Sequence, residues 1–203
     1  MIRAFSARQS APRLFIAHAD VIVARHLMNS GAIEELGDYL AGHVASLCKA
    51  GAQFVAIGAI APHIAAPHIR QIVKVPLLDL IDCIRTELAA RQVKRIAILG
   101  ARFVMESRMH GRLDSWDVVD LPQEAIDFVD RNYSRIAAAG GIDGSGADVD
   151  GLRTLARHAV RECGADIVVL AGTDLSLAFD EASCGFPALD CVRLHVDAIV
   201  TEA

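Results

Sequence analysis

Short aliphatic runs of strand length alternate along this chain with segments whose apolar residues recur at helical spacing. The runs are RLFIAH (13–18), QFVAIG (53–58), the stretch 76–79, KRIAILG (94–100), SWDVVDL (115–121), DIVVLAG (166–172) and the stretch 187–190. Each predicts a strand. Helical patterns fall between them, notably over 79–91, 103–112, 123–137 and 191–202. Strand and helix taking turns throughout predicts right-handed crossovers and a mostly parallel sheet. The strands are continuously aliphatic rather than alternating, as expected where helices cover both faces. The fold class expected is therefore α/β, with mostly parallel sheets covered by helices.

The pattern repeats. GAQFVAIGA begins at Gly51 and GADIVVLAG at Gly164, and each follows an amphipathic segment, IEELGDYLAGHVASLCKA in one case and DGLRTLARHAVREC in the other. Further on, VPLLD (75–79) matches FPALD (186–190). The first match is offset by 113 residues and the second by 111. Two independent matches at nearly one spacing argue for internal duplication. They divide the chain into pseudo-symmetric halves, 1–92 and 93–203. The second half has a strand and helix over 94–111 ahead of SWDVVDL. The first half has nothing equivalent ahead of RLFIAH, so it reads as lacking its initial strand–helix unit: either the chain is shortened there, or the fold tolerates an exposed edge, or a partner chain covers it.

Composition narrows the function. At 203 residues and 53% hydrophobic, the chain suits one well-buried core and is short for two full-sized domains. Its net charge of −5 is spread without a basic stripe or aromatic platform, which argues against nucleic acid. Cys48, Cys83, Cys163, Cys184 and Cys191 show neither CxxC pairing nor zinc-ligand spacing, so they read as reduced thiols of a cytoplasmic protein. No apolar run is long enough to span a membrane. The segment 1–12 is polar, carries Arg3 and Arg8, and lacks the apolar core of a secretory signal. The Gly-rich stretch 137–151 follows a helical pattern and has no phosphate-loop lysine, so it reads as a surface loop.

In open parallel sheets, ligands bind beyond the carboxyl ends of the strands. The duplicated strands end in GAIAPH (58–63) and AGTDLS (171–176), and two related halves would set these loops face to face across a cleft. A small anion would sit between the two helix N-termini expected there. Asp174 would act as a base, since a carboxylate at a helix N-terminus tends to be ionised. Thr173 would bind a ligand carboxylate. For both residues the alternative is plain N-capping. His63 would carry a proton or else be a buried histidine bonded to backbone. His63 and His68 lack a third ligand, so no metal is expected. His18 would replace a lost base with Asp20 orienting it, or Asp20 simply starts the next helix.

The strand-end motifs carry a resemblance. Ala59-Ile60-Ala61-Pro62-His63 stands where the cofactor-independent aspartate/glutamate racemase family has Cys-Asn-Thr-x-His, and Ala171-Gly172-Thr173-Asp174 where it has Gly-Cys-Thr-Glu. Gly100 to Met105 resembles its Gly-Thr-x-x-Thr-Met stretch, and Asp190 with His195 its late Asp and His. The resemblance runs from Arg13 onward. It implies a homodimer, no cofactor, and a small carboxylate or amino acid as ligand. It also implies that both catalytic cysteines are missing, with Ala59 and Gly172 in their places and Ile60 and Ala61 where the family binds carboxylate. Two-cysteine racemisation would then be replaced by a lyase, decarboxylase or isomerase reaction. The alternative is a non-catalytic ligand-binding or assembly protein. The substrate-side residues implied are Ala59, Ile60, Ala61, Gly172, Thr173, Asp20 and His195.

Overall fold

A computed structural model describes residues 13–203; the polar segment carrying Arg3 and Arg8 lies outside the described residues. The chain divides into two compact units, Met1–Asp82 with Val196–Ala203, and Cys83–His195.

In the first unit, helices α1 (Val21–Asn29) and α2 (Ile33–Lys49) precede strand β1 (Val55–Ala56). A five-residue 3-10 turn (Ala61–Ala65), helix α3 (Ala66–Ile72) and strand β2 (Leu77–Leu78) follow, and helix α4 (Leu80–Ala90) begins here. Strands β1 and β2 pair in parallel, Val55 with Leu77 and Ala56 with Leu78. Leu36, Leu40 and Val44 recur every fourth residue on one face of α2 and bury against Ala65, Ala66, Ile69 and Val55. The strand expected at 13–18 is not formed. Residues 13–20 join no sheet among the described residues, and Leu14 and Ile16 are 52% and 81% exposed. Strand propensity alone does not hold a segment that buries neither face and satisfies no ladder.

The second unit contains β3 (Arg95–Gly100), α5 (Arg102–Glu106), β4 (Asp117–Val118), α6 (Gln123–Ala139) and α7 (Val149–Arg161). Then come β5 (Ile167–Ala171), a second 3-10 turn (Thr173–Leu177), β6 (Ala188–Asp190) and α8 (Cys191–Glu202), which makes eight α-helices among the described residues. The four strands lie in the order β4-β3-β5-β6, all parallel. All five residues of β5 are buried, consistent with an aliphatic run covered on both faces. Gly100 and Ala171 end β3 and β5 side by side. A Cβ on Gly100 would lie 2.7 Å from the carbonyl carbon of Ala171 and closer still to its oxygen, so glycine permits that approach. At the other end of the sheet, the Asp166 carboxylate accepts backbone N–H bonds from Lys94 and Arg95 at 2.9 Å each. These bonds hold its carboxyl below the usual carboxylate range.

The helix expected over 103–112 is cut short. After Glu106 the chain turns left-handed, with φ of 49° at Arg108, 54° at Met109 and 63° at His110. Such values cost conformational energy for side-chain-bearing residues. Full burial of Met109 and Leu113 offsets the cost.

The matched sequence segments make the same backbone contacts. The Val55 N–H donates to the Pro76 carbonyl at 3.0 Å, and the Val168 N–H to the Pro187 carbonyl at 2.9 Å. Each short strand then ends in an aspartate that caps the following helix. Asp79 Oδ1 accepts from Ile81 N at 2.8 Å, and Asp190 Oδ1 accepts from Val192 N at 2.9 Å and Arg193 N at 3.2 Å. The sequence pairs Val55/Val168, Pro76/Pro187 and Asp79/Asp190 thus hold equivalent structural places.

Burial pushes the Asp190 carboxyl up, and the N–H bonds from Arg193 and Val192 offset only part of that. A raised folded value favours the protonated acid. Its contribution to stability is present at acid pH and is lost as pH rises through that value. Asp79→Ala and Asp190→Ala are each expected to cost about 1 kcal/mol in denaturant unfolding through loss of the cap. Asp190→Asn, which keeps a capping oxygen without a buried charge, should match or exceed the parent at neutral pH.

Candidate functional site

Strand β5 is an apolar run of β-branched and small residues, and it stops where the side chains stop being aliphatic. Gly172 continues it in extended conformation, φ −138° and ψ 123°, and the chain then winds into the turn Thr173–Leu177. The helix expected here is thus a single 3-10 turn, whereas after β1 the turn Ala61–Ala65 runs directly into α3. Neither turn has a side-chain capping bond at its start. The hydroxyl of Thr173 and the carboxylate of Asp174 are therefore not spent as caps. A five-residue turn also offers a ligand little of the dipole of a long helix.

The Asp174 carboxylate is engaged from α6. That helix buries Val129, Asn132 and Ile136 along one stripe, and Tyr133 lies half-buried beside it. The Tyr133 hydroxyl donates to Asp174 Oδ2 at 3.3 Å. Burial pushes the Tyr133 hydroxyl up to about 12, the Asp174 charge adds to this, and the neighbouring Thr173 side chain pulls the other way. At physiological pH the phenol is a neutral donor beside a carboxylate. The ring also lies against Gly172: a Cβ there would sit 2.8 Å from Tyr133 Cδ2 and closer to Cε2.

Sequence reasoning missed Tyr133. It placed the residue on the 123–137 helix, and nothing in the spacing ties that helix to a glycine 39 positions later. An amphipathic pattern with a phenol bordering the buried stripe is the signal available.

Asp190, His195, Cys184 and Cys191 lie on or next to β6 and α8. Asp190 is committed to capping α8, and His195 is 5% exposed within α8. The Cys191 thiol is pushed well up by burial and by the charges of Asp190 and Glu181, which disfavours a thiolate. Cys184 is buried, with Sγ 3.2 Å from the Phe186 carbonyl oxygen.

In the first unit, the loop after β1 is largely apolar: Ile60 is buried, and Ala59 and Ala61 are partly so. His63 is fully buried, and its Nε2 accepts the Leu80 N–H at 3.1 Å. That bond requires the hydrogen to sit on Nδ1, which donates to the Ala59 carbonyl at 2.7 Å. The ring thus ties the loop to the start of α4. His18 is exposed. Asp20 caps α1, accepting the Ile22 N–H at 2.8 Å, while its own N–H donates to the Tyr39 hydroxyl at 2.7 Å.

Residues 1–199 match the family model of Asp/Glu/hydantoin racemases. Among solved structures, the chain resembles a protein of Yersinia pestis described as an Asp/Glu racemase. The TM-score is 0.84 and the identity 19%, over 99% of this chain and 89% of that one. It resembles an aspartate racemase homologue from Pyrococcus horikoshii at TM-score 0.76 and 19% identity, covering 98% and 90% of the two chains. Arylmalonate decarboxylase gives 0.53 and 18%, covering 83% and 76%. At these identities the likeness is one of fold. No curated protein matches the sequence.

Tyr39 and Tyr133 are the two tyrosines, so Tyr39→Phe leaves one phenol to titrate by ultraviolet absorbance. Ionisation near 12 is expected there. Adding Asp174→Asn removes a negative charge that disfavours the phenolate, so the midpoint should fall. An unchanged midpoint would show that the carboxylate does not act on the phenol.

Proposed function

The chain belongs to the Asp/Glu/hydantoin racemase family, and we propose that it carries a small-carboxylate site whose proton chemistry is done by oxygen groups rather than thiols. The observation behind this is the Tyr133–Asp174 hydrogen bond at the end of β5, with the Thr173 side chain beside it. In this reading Ala59 and Gly172 stand where the family's two cysteines stand, and neither side chain can move a proton. The Thr173 hydroxyl binds the ligand carboxylate and Asp174 serves as the base.

Racemisation by two opposed thiols needs a proton carrier on each face of the substrate. A site with one oxygen cluster suits a reaction with a single proton transfer: a decarboxylation, another lyase step or an isomerisation. The fold-level likeness to arylmalonate decarboxylase is compatible with this, as analogy only. A second reading is a ligand-binding or assembly protein. It is supported by the commitment of His63 and Asp190 to backbone groups.

The same proposal sets the protein in the cytoplasm as a homodimer of two duplicated halves, 1–92 and 93–203. Among the described residues no disulfide joins the five cysteines, and no helix is long and apolar enough to cross a membrane. The exposed Leu14, Ile16, Val21 and Ile22 suit burial against a second copy.

A thermal-shift screen of aspartate, glutamate, malonate and phenylmalonate tests the site. A ligand at 100 times its Kd should stabilise by about 2.7 kcal/mol, and Thr173→Val or Asp174→Ala should abolish the shift. Consumption of the bound acid indicates an enzyme, and binding without turnover the second reading. If none of these acids shifts the melt, the small-carboxylate site is wrong.

A further inference from the structure

Gly172 and Tyr133 form a matched pair. The backbone at Gly172 has φ −138°, which any residue adopts, so the conformation does not demand glycine. The neighbour does: the position that a Cβ would take lies 2.8 Å from Tyr133 Cδ2 and 3.1 Å from Cζ. A side chain at 172 and the Tyr133 ring in its present place exclude one another. The ring edge takes the room that a side chain at the end of β5 would use, and the phenol that comes with it is bonded to Asp174.

We propose that Tyr133 has taken over both the place and the proton-carrying task of the side chain that Gly172 lacks, and is the residue that protonates the α-carbon of the bound acid. This rests on the small-carboxylate reading above and adds to it the identity of the proton donor. The phenol meets two requirements. It holds its proton at neutral pH, since burial and the Asp174 charge both oppose ionisation. It is half-buried, and so neither sealed in the core nor flooded by water.

The step balances simply. An α-carbanion, left when a bond to a carboxylate or hydrogen is broken, uses its electron pair to form a C–H bond with the Tyr133 proton. The phenolic O–H bond breaks and the charge passes to the oxygen. The phenolate then recovers a proton from solvent. A carbanion beside a carboxylate is far more basic than a phenolate, so the transfer runs downhill.

Two experiments test this, one of them independent of any ligand. In thermal melts, Gly172→Ala should lower the melting temperature in the parent. It should cost clearly less in a Tyr133→Ala background, because the clash is gone. Equal costs in both backgrounds would show that the two residues are not coupled and would overturn the replacement. The second uses Tyr133→Phe, which keeps the ring, with phenylmalonate and aspartate as probes in deuterated water. Deuterium incorporation at the α-carbon should fall about a hundredfold or more, while the thermal shift by the same acid changes little. Unchanged incorporation in Tyr133→Phe, with the acid still bound, would remove Tyr133 as donor and leave the carboxylate site standing. A parent protein that binds no acid would sink the site itself, and with it this role.

Discussion

Strand β5 is hydrogen-bonded on both edges, to β3 and to β6, and every one of its side chains is buried. A strand held in that way has no freedom to shift register, because a slip of one residue would cost both ladders and turn its side chains over. Its end is therefore fixed, and the chain leaves it at Gly172 in a set direction. Thr173 and Asp174 arrive on the first turn beyond, where α6 presents Tyr133. The Asp166 clamp on Lys94 and Arg95 at the strand's start, and the close approach of Gly100 to Ala171 at its finish, keep β3 and β5 aligned along their whole length. The chemistry proposed for this protein depends on that rigidity, since a phenol, a hydroxyl and a carboxylate act together only if held within hydrogen-bond reach.

Matching sequence places before and after residue 92 have the same joints and different chemistry. Asp79 and Asp190 cap equivalent helices, and Val55 and Val168 bond equivalent prolines. These contacts satisfy backbone groups at the end of a short strand, so they are needed whatever the site does. The turns after β1 and β5 have no such obligation. One holds Ile60 in the core and uses His63 as a tie, with both ring nitrogens taken by backbone. The other keeps two polar side chains away from capping and joins one of them, Asp174, to a tyrosine.

Much of the fold is legible in the sequence because parallel, buried strands are written as unbroken aliphatic runs. KRIAILG and DIVVLAG are strands, and the helices expected over 79–91, 123–137 and 191–202 are present to within about two residues. RLFIAH misleads because periodicity reports what a segment could bury, and Leu14 and Ile16 stay exposed. The 103–112 pattern misleads because the left-handed turn at Arg108 to His110 is set by where Met109 and Leu113 must be buried, a tertiary demand with no local mark. The site is legible in part. The strand-end rule leads to Gly172, Thr173 and Asp174, but the group that completes them comes from a helix 39 residues earlier in the chain. Only packing shows that Gly172 is small because Tyr133 is there.

That mutual exclusion is the most exposed point of the account, and a crystal structure of the Gly172→Cys variant tests it directly. The expected result is a Tyr133 ring rotated off the strand end, with its bond to Asp174 broken and the new thiol in the vacated room. A thiol accommodated beside an unmoved ring, with the Tyr133–Asp174 bond intact, would contradict it.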